Sequence, residues 1–176
     1  MKKKAVIITE QGYEDEEVIY PVIRLKEAGF EVDLATKDCR LVMGRKNYPL
    51  ETLVKFYANL VDATRLNPES YDLVIIPGGF EGPDRVRQIP EVLEFIKLIS
   101  HTNKVLAAIC HGPWVLISAG LLKGKKVTGY AGIKDDIINS GAEYVNQAVV
   151  EDNNIITGAH ARDLGEFMSV ILNRFK

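Results

Sequence analysis

Five short apolar runs recur along the chain, and each has the length of a β-strand. The first, third and fourth are apolar at nearly every position, which is typical of strands covered on both faces of a parallel sheet. The runs are AVIIT (5–9), EVDLAT (31–36), DLVIIP (72–77), KVLAAI (104–109) and NIIT (154–157). They predict a buried sheet in which most strands are parallel.

Helical patterns occupy much of the chain between and after these runs. Apolar residues recur at helical spacing within 18–25, 92–99 and 164–172. Gly29 follows the first pattern as a stop signal, and Pro90 opens the second at a fixed φ. This alternation of strands and helices predicts an open, doubly wound α/β domain.

The segment 38–70 fits the alternation less well, because it mixes β-prone and helical signals. We expect short strands, a helical turn and a loop there, as an insertion or an elaboration of the sheet edge. The sequence contains no internal repeat, low-complexity stretch or linker, so we expect residues 1–176 to form one domain.

Charge and cysteine content exclude several classes of protein. A net charge of −2 gives no electrostatic reason to expect nucleic acid as a partner. The apolar run behind the basic MKKK start is too short for a signal peptide or a membrane span. Without an export signal, Cys39 and Cys110 suggest reduced thiols rather than a disulfide. We therefore expect a cytoplasmic protein that does not bind membranes.

Cys110 and His111 stand where the fourth apolar run gives way to a helix, in KVLAAICHGPWVL (104–116). In open α/β sheets, ligands bind outside the carboxyl ends of the strands. A sharp strand-to-helix turn exposes a nucleophile, and the N-terminus of the helix favours the reactive thiolate. The alternative is a buried, inert cysteine, which is the usual role of a free thiol. Spacing alone leaves both readings open.

Two further loops follow predicted strands at the same edge of the sheet. Gly78 and Gly79 end the third run, and paired glycines let the backbone approach a ligand closely. The N–H groups of Gly79 and His111 could then bind an oxyanion that develops beside Cys110. Read alone, Pro-Gly-Gly is more typical of a simple turn.

The loop after the first strand is acidic, and one of its carboxyl groups could reach the thiol. It reads GYEDEE (12–17), and Glu14 stands at the carboxyl end of the strand. Any helix favours acidic residues in its first turn. Composition alone therefore does not distinguish Glu14 from Asp15, Glu16 or Glu17.

Together these loops resemble the PfpI family of intracellular cysteine hydrolases, in the superfamily of Parkinson disease protein seven. The most specific segments are Ala-Ile-Cys-His-Gly-Pro and Gly-Ile-Lys-Asp-Asp. The resemblance covers nearly the whole chain. The longer stretches that resemble family segments are YEDEEVIYPVIRLKEAGFEV, DLVIIPGGFEGPDRVR, AAICHGPWVLISAGLLKGKKVTGY and GIKDDIINSGAEYV. It implies a flavodoxin-like sandwich, similar to class I glutamine amidotransferases.

The resemblance also implies a role for each matching position. Cys110 matches the nucleophile and His111 the histidine beside it. Glu14, which follows an aromatic residue and precedes an aspartate, matches the carboxyl that hydrogen-bonds the sulfur. Gly79, with Gly78 beside it, matches the oxyanion-hole glycine, and Tyr130 matches a tyrosine that lines the pocket.

In similar proteins a carboxylate from a neighbouring subunit completes a Cys-His-acid triad. The position here is Asp84, one methylene shorter than the glutamate often found there. The resemblance therefore implies a homo-oligomer, a dimer or a hexamer of dimers.

The chain departs from the family near its end and after the pocket tyrosine. Ala131 replaces a frequent proline, and TGAHARDL places His160 close to a strand end, in the pocket or on a surface loop. Asp135 and Asp136 have no His or Cys neighbours at metal-ligand spacing. We expect neither a metal nor a cofactor.

The expected chemistry is attack of a thiolate on a carbonyl carbon. The first hypothesis is a deglycase or glyoxalase, whose substrate is a small carbonyl compound or a glycated protein or peptide. A cysteine peptidase is the alternative with the same site. A redox-sensing stress protein or chaperone is the alternative from another class, since an exposed thiolate also oxidises readily. His111 favours the enzymes, because a sensor needs no adjacent base. We expect a raised pKa at Glu14 and a depressed pKa at Cys110.

Overall fold

The computed structural model describes residues 2–176. Its strands are β1 (Lys4–Ile8), β2 (Glu31–Thr36), β3 (Asn59–Asp62), β4 (Leu73–Ile76), β5 (Val105–Ile109), β6 (Lys126–Val127), β7 (Glu143–Tyr144), β8 (Val149–Asp152) and β9 (Ile155–Gly158). A seven-stranded sheet has the order β3-β2-β1-β4-β5-β9-β8. Its neighbouring strands are parallel except for the antiparallel pair of β8 and β9. β6 and β7 form a separate parallel pair.

The five apolar runs all form strands of this sheet, as predicted. β4 and β5 are buried at every residue, because helices cover both faces of the sheet. β3, at one edge, is exposed or half-buried throughout. Sheet position thus explains why β3 and β8 have no continuous apolar run.

The helices lie on both faces of the sheet, which confirms the predicted α/β class. They are α1 (Asp15–Glu27), α2 (Leu50–Phe56), α3 (Glu81–Val86), α4 (Pro90–Ser100), α5 (Pro113–Ser118), α6 (Lys134–Asn139) and α7 (Leu164–Asn173). α1, α4 and α7 correspond to the three periodic patterns in the sequence, and α5 is the helix expected after His111. In the segment 38–70, α2, β3 and single turns of 3-10 helix occur, close to the expected mixture.

Alternate residues of the strands supply two hydrophobic cores. On one face, Ile7 and Ile75 pack with the buried residues of α1, α2 and α7. On the other, Val6 and Val74 pack with those of α4, α5 and α6. Burying an aliphatic side chain of this size contributes about 1.5–3 kcal/mol. The two cores therefore fix the sheet and the loops at its carboxyl edge.

The strand order changes direction between β1 and β4, since β1 continues to β2 on its other side. Loops that leave the carboxyl ends of strands at such a switch point form the ligand-binding crevice of open α/β sheets. The loops after β1, β4 and β5 meet there. Within residues 2–176, no helix is long and apolar enough to cross a membrane.

Candidate active site

Cys110 occupies the sharp turn between β5 and α5. Its φ is +61°, in the left-handed region that residues with a side chain rarely adopt. Two backbone hydrogen bonds hold it there: Cys110 N–H donates to Gly158 O at 2.9 Å, and Tyr130 N–H donates to Cys110 O at 2.9 Å. At Gly112 any Cβ would clash with the carbonyl oxygen of Ile76. The surroundings thus impose a conformation that costs about 1–3 kcal/mol.

The sulfur of Cys110 contacts the imidazole of His111, with 3.2 Å between Sγ and Nδ1. The backbone N–H groups of Gly79 and His111 lie near enough to the sulfur to lower its pKa. These are the two N–H groups that the sequence singles out for an oxyanion. The structure therefore brings Cys110, His111 and Gly79 together.

The carboxyl group beside the thiol belongs to Glu17, so the prediction of Glu14 is wrong. Glu17 Oε2 accepts a hydrogen bond of 2.6 Å from Gly78 N–H. Its Oε1 is buried and has no hydrogen-bond partner among residues 2–176. A Cβ at Gly78 would lie 2.7 Å from both Glu17 Oε2 and Cys110 Cβ, which shows how tightly glycine, carboxyl and thiol are packed.

The start of α1 explains the error. The helix begins at Asp15, and Glu14 precedes it with extended backbone angles. Glu17 is therefore in the first helical turn and is fully buried, whereas Glu14 is partly exposed and pairs with Arg45. An exact helix start would have identified Glu17, but four consecutive acidic residues hide that start in the sequence.

Burial changes the protonation of Glu17 and Cys110. It raises the pKa of Glu17 to about 8, against the opposing effect of the Gly78 N–H group. It also raises the pKa of the Cys110 thiol, and the negative charge of an ionised Glu17 raises it further. The N–H groups of Gly79 and His111 oppose this rise. The expected depression of the Cys110 pKa is thus wrong, because burial and Glu17 outweigh the two N–H groups.

His111 is neutral near pH 7, because three effects lower its pKa. Burial is the largest, and the electrostatic effects of Arg45 and of the neighbouring His160 add to it. Tyr130 stacks on the imidazole with ring centroids 4.7 Å apart and an interplanar angle of 25°. A neutral, stacked imidazole beside a thiol is a suitable proton acceptor.

These residues form the floor of a cleft of about 480 Å³. The cleft is lined by Glu14, Glu16, Glu17, Arg45, Lys46, Phe80, Cys110, His111, Tyr130, His160 and Ala161. His160 therefore lies in the cleft rather than on a remote surface loop, with its ring centroid 6.0 Å from that of Tyr130. Its Nδ1 accepts a hydrogen bond from Arg162 N–H at 3.3 Å, so a neutral His160 carries its proton on Nε2.

The outer wall of the cleft consists of four charged residues, Glu14, Glu16, Arg45 and Lys46. Arg45 Nη1 donates to Glu14 Oε2 at 2.7 Å, and Lys46 pairs with Glu16 and, at 3.5 Å, with Glu14. The sequence reading misses both cations, because they belong to the segment 38–70, which carries no motif.

Asp84 lies on α3 with its side chain 46% exposed. It accepts hydrogen bonds of 2.6 and 3.0 Å from the Arg87 guanidinium and does not bond His111 of its own chain. That guanidinium lies 5.0 Å from the ring of Trp114, whose centroid is 5.1 Å from that of His111. A role for Asp84 in a neighbouring subunit stays a prediction.

The remaining candidates take no part in the cleft. Asp135 and Asp136 lie in the first turn of α6, where Asp136 accepts a hydrogen bond of 2.8 Å from Trp114 Nε1. Cys39 is exposed, and His101 caps the end of α4. Residues 2–176 contain no group of three or more His, Cys, Asp or Glu side chains placed to hold a metal ion.

Comparison with known proteins gives consistent matches over the whole chain. The DJ-1/PfpI family profile matches residues 3–174. "Deglycase PfpI" of Pyrococcus furiosus is 37% identical over 173 residues, covering 98% of this chain and 99% of the relative. "Putative cysteine protease YraA" of Bacillus subtilis is 39% identical over 175 residues, covering 99% of each chain.

Solved structures agree with the fold. A two-domain Anabaena variabilis protein, described as containing DJ-1/ThiJ/PfpI-like and ferritin-like domains, has a TM-score of 0.90 and 37% identity. The match covers 99% of this chain and 48% of that one. Drosophila melanogaster DJ-1beta has a TM-score of 0.86 and 26% identity, covering 97% of this chain and 89% of that one.

Proposed function

The chain belongs to the DJ-1/PfpI family, and from that premise we propose that it is a cysteine-dependent deglycase. Its substrates would be the adducts that glyoxal and methylglyoxal form with thiols and amines. The names of the Pyrococcus relatives support this reaction class. The carrying observation is the strained Cys110, with His111 Nδ1 3.2 Å from its sulfur and the buried Glu17 on its other side.

The reaction would begin when the bound adduct releases its thiol, His111 Nδ1 takes the Cys110 proton and the sulfur adds to the aldehyde carbon that is freed. The carbonyl π electrons move to oxygen, where the N–H groups of Gly79 and His111 stabilise the negative charge. A proton shift from this carbon to its neighbour would then give a thioester, and water would cleave its carbon–sulfur bond to release the 2-hydroxy acid and the Cys110 thiol. At neutral pH Glu17 carries a proton, because burial raises its pKa to about 8. Its carboxyl can then donate a hydrogen bond to the thiolate.

The overall reaction balances without a cofactor. An adduct of a 2-oxoaldehyde with a thiol takes up one water and yields the free thiol and a 2-hydroxy acid. The former aldehyde carbon is oxidised and the neighbouring ketone carbon is reduced. A proton leaves the first carbon and one is returned to the second, and His111 and Glu17 are the titratable groups that lie beside the sulfur.

Steady-state turnover of methylglyoxal–thiol adducts tests the proposal. The wild type should release 2-hydroxy acid, and Cys110→Ser should lose at least about 1,000-fold in kcat/KM, since a hydroxyl is a far weaker nucleophile at this pH. Cys39→Ser is the matched control, because it removes the exposed thiol outside the cleft. Turnover of peptides but not of adducts would support a peptidase. Oxidation of Cys110 without any turnover would support a redox sensor.

A further inference from the structure

The turn 43–48, which carries Arg45 and Lys46, is bound firmly to the start of α1. Arg45 N–H donates to Tyr13 O at 2.9 Å. The carboxylate of Asp15, only 4% exposed, accepts hydrogen bonds from Lys46 N–H at 2.9 Å and Tyr48 N–H at 3.1 Å. A rigid backbone presents a side chain to a ligand at a low cost in conformational entropy.

The guanidinium of Arg45 has N–H donors available for a ligand. Nη1 donates to Glu14 Oε2, and the group lies 5.4 Å from the ring centroid of Phe80. Its other N–H groups have no acceptor among residues 2–176. A guanidinium has five N–H donors in a planar fork that fits a carboxylate with two parallel hydrogen bonds. Arg45 can therefore accommodate an incoming carboxylate.

The other charged groups of the wall are more fully occupied. Glu14 pairs with both Arg45 and Lys46, and Glu16 pairs with Lys46. Lys46 is also the more solvent-exposed of the two cations, at 61% against 46% for Arg45. Both carboxylate oxygens of Glu14 thus already face cations, whereas the Arg45 guanidinium keeps donors that an anionic group can use.

Arg45 is close enough to the reacting centre to act on the same small molecule. Its charge lowers the pKa of His111, and both residues line the cleft of about 480 Å³. Clefts of this size hold small molecules or the end of a peptide rather than an extended chain. A ligand of amino-acid size can place one end at Cys110 and the other at Arg45.

We propose that Arg45 binds a carboxylate of the substrate, and that the protein prefers adducts on free amino acids and on residues at the carboxyl end of short peptides. The inference rests on the proposed deglycase function. In the free protein Glu14 occupies part of the guanidinium, so it competes with the substrate carboxylate and weakens the preference.

Two substrates that differ only in the carboxylate test the proposal: the methylglyoxal adducts of N-acetylcysteine and of N-acetylcysteine amide. For the wild type, kcat/KM should be about 10-fold higher for the carboxylate, as expected for a hydrogen-bonded charge at a partly exposed site. Arg45→Gln should bring the ratio close to one. Glu14→Gln should raise it above the wild-type value, because the competing acceptor is lost. The ratio cancels any change that affects both substrates equally.

Arg24→Gln is the matched control, since Arg24 pairs with Glu27 on α1 and is absent from the cleft lining. It should keep the wild-type ratio. A wild-type ratio of one, or a preference that survives Arg45→Gln, would overturn the proposal.

A binding measurement separates this inference from the proposed function. N-acetylalanine should slow the alkylation of Cys110 by iodoacetamide more than N-acetylalanine amide does, and Arg45→Gln should remove the difference. If neither adduct is turned over but this protection is seen, the deglycase proposal fails and the carboxylate site stands. Equal protection by both compounds would refute the site.

Discussion

The floor of the cleft, around Cys110 and Glu17, holds two buried titratable groups that form no ion pair within residues 2–176. The wall, around Arg45 and Glu14, holds charged groups that are partly exposed and pair with one another. At the floor, backbone N–H groups are the main hydrogen-bond partners, and burial raises the pKa values of both the carboxyl and the thiol. At the wall, the partners are long side chains on a turn and a helix start.

This difference separates reactivity from selectivity. Exposed ion pairs contribute roughly 0–1 kcal/mol each, so a substrate can rearrange the wall at little cost. The groups of the floor cannot rearrange in this way, because they are packed tightly against their neighbours. Changes at the floor should therefore affect the chemical step, and changes at the wall should affect the choice of substrate.

After Cys110 itself, the largest effect is expected at Glu17. Glu17→Leu removes the proton donor beside the sulfur and should lower kcat/KM by at least about 100-fold, whereas Glu17→Gln keeps an N–H donor and should lose about 10-fold. Alkylation of Cys110 between pH 6 and 7 should be slower in Glu17→Leu than in Glu17→Gln. Identical alkylation profiles for the two variants would show that the carboxyl does not act on the sulfur.

The same residue should make folding stability depend on pH. The pKa of Glu17 rises from an ordinary value of 4.5 to about 8 in the folded protein. Between these values the unfolded chain loses the proton first, so wild-type stability should fall as pH rises from about 4.5 to 8. Glu17→Gln cannot ionise and should become relatively more stable across this window, by up to about 5 kcal/mol. Urea unfolding at pH 5, 6.5 and 8 measures this, and parallel curves would contradict it.

Most of the floor could be predicted from the sequence, because it lies at strand ends that apolar runs identify. Cys110 and Gly79 follow two such runs directly. The sequence points to Glu14 rather than Glu17 as the carboxyl beside the sulfur, since the choice depends on the residue at which α1 begins. Arg45 could not be predicted. Its place in the cleft depends on hydrogen bonds between the turn 43–48 and Asp15, which no local pattern encodes.

Substitution of Asp84 tests whether one chain contains all the catalytic groups of the site. Within residues 2–176 no carboxylate bonds to His111, and an imidazole that takes a proton gains from a partner that stabilises its charged form. We expect a second copy of the chain to supply Asp84, and Asp84→Ala to lower kcat/KM by about 10-fold.

Hybrid oligomers provide the measurement. Asp84→Ala and Cys110→Ser proteins should regain part of the lost activity after they are dissociated, mixed and reassembled, because a mixed pair contains one site with both groups. Hybrids verified by mass but no more active than their parents would exclude an acid shared between subunits.

The smallest effect is expected at Asp15, which connects the wall to α1. Its two carboxylate oxygens accept from different N–H groups, those of Lys46 and Tyr48. Asp15→Asn keeps one acceptor oxygen and loses the other, so stability should fall by about 1–2 kcal/mol. A looser turn 43–48 should also reduce the preference for the carboxylate substrate by about 2- to 5-fold.

Asp62→Asn is the matched control for Asp15→Asn, since Asp62 accepts from Thr64 N–H at the start of a helical turn outside the cleft. It should lower stability without changing the substrate ratio, because the turn 43–48 keeps all its bonds to α1. If Asp15→Asn destabilises the protein and yet leaves the ratio intact, Arg45 does not need a fixed backbone. The wall would then select substrates through charge alone. In that case added salt should weaken the preference for the carboxylate substrate equally in Asp15→Asn and Asp62→Asn.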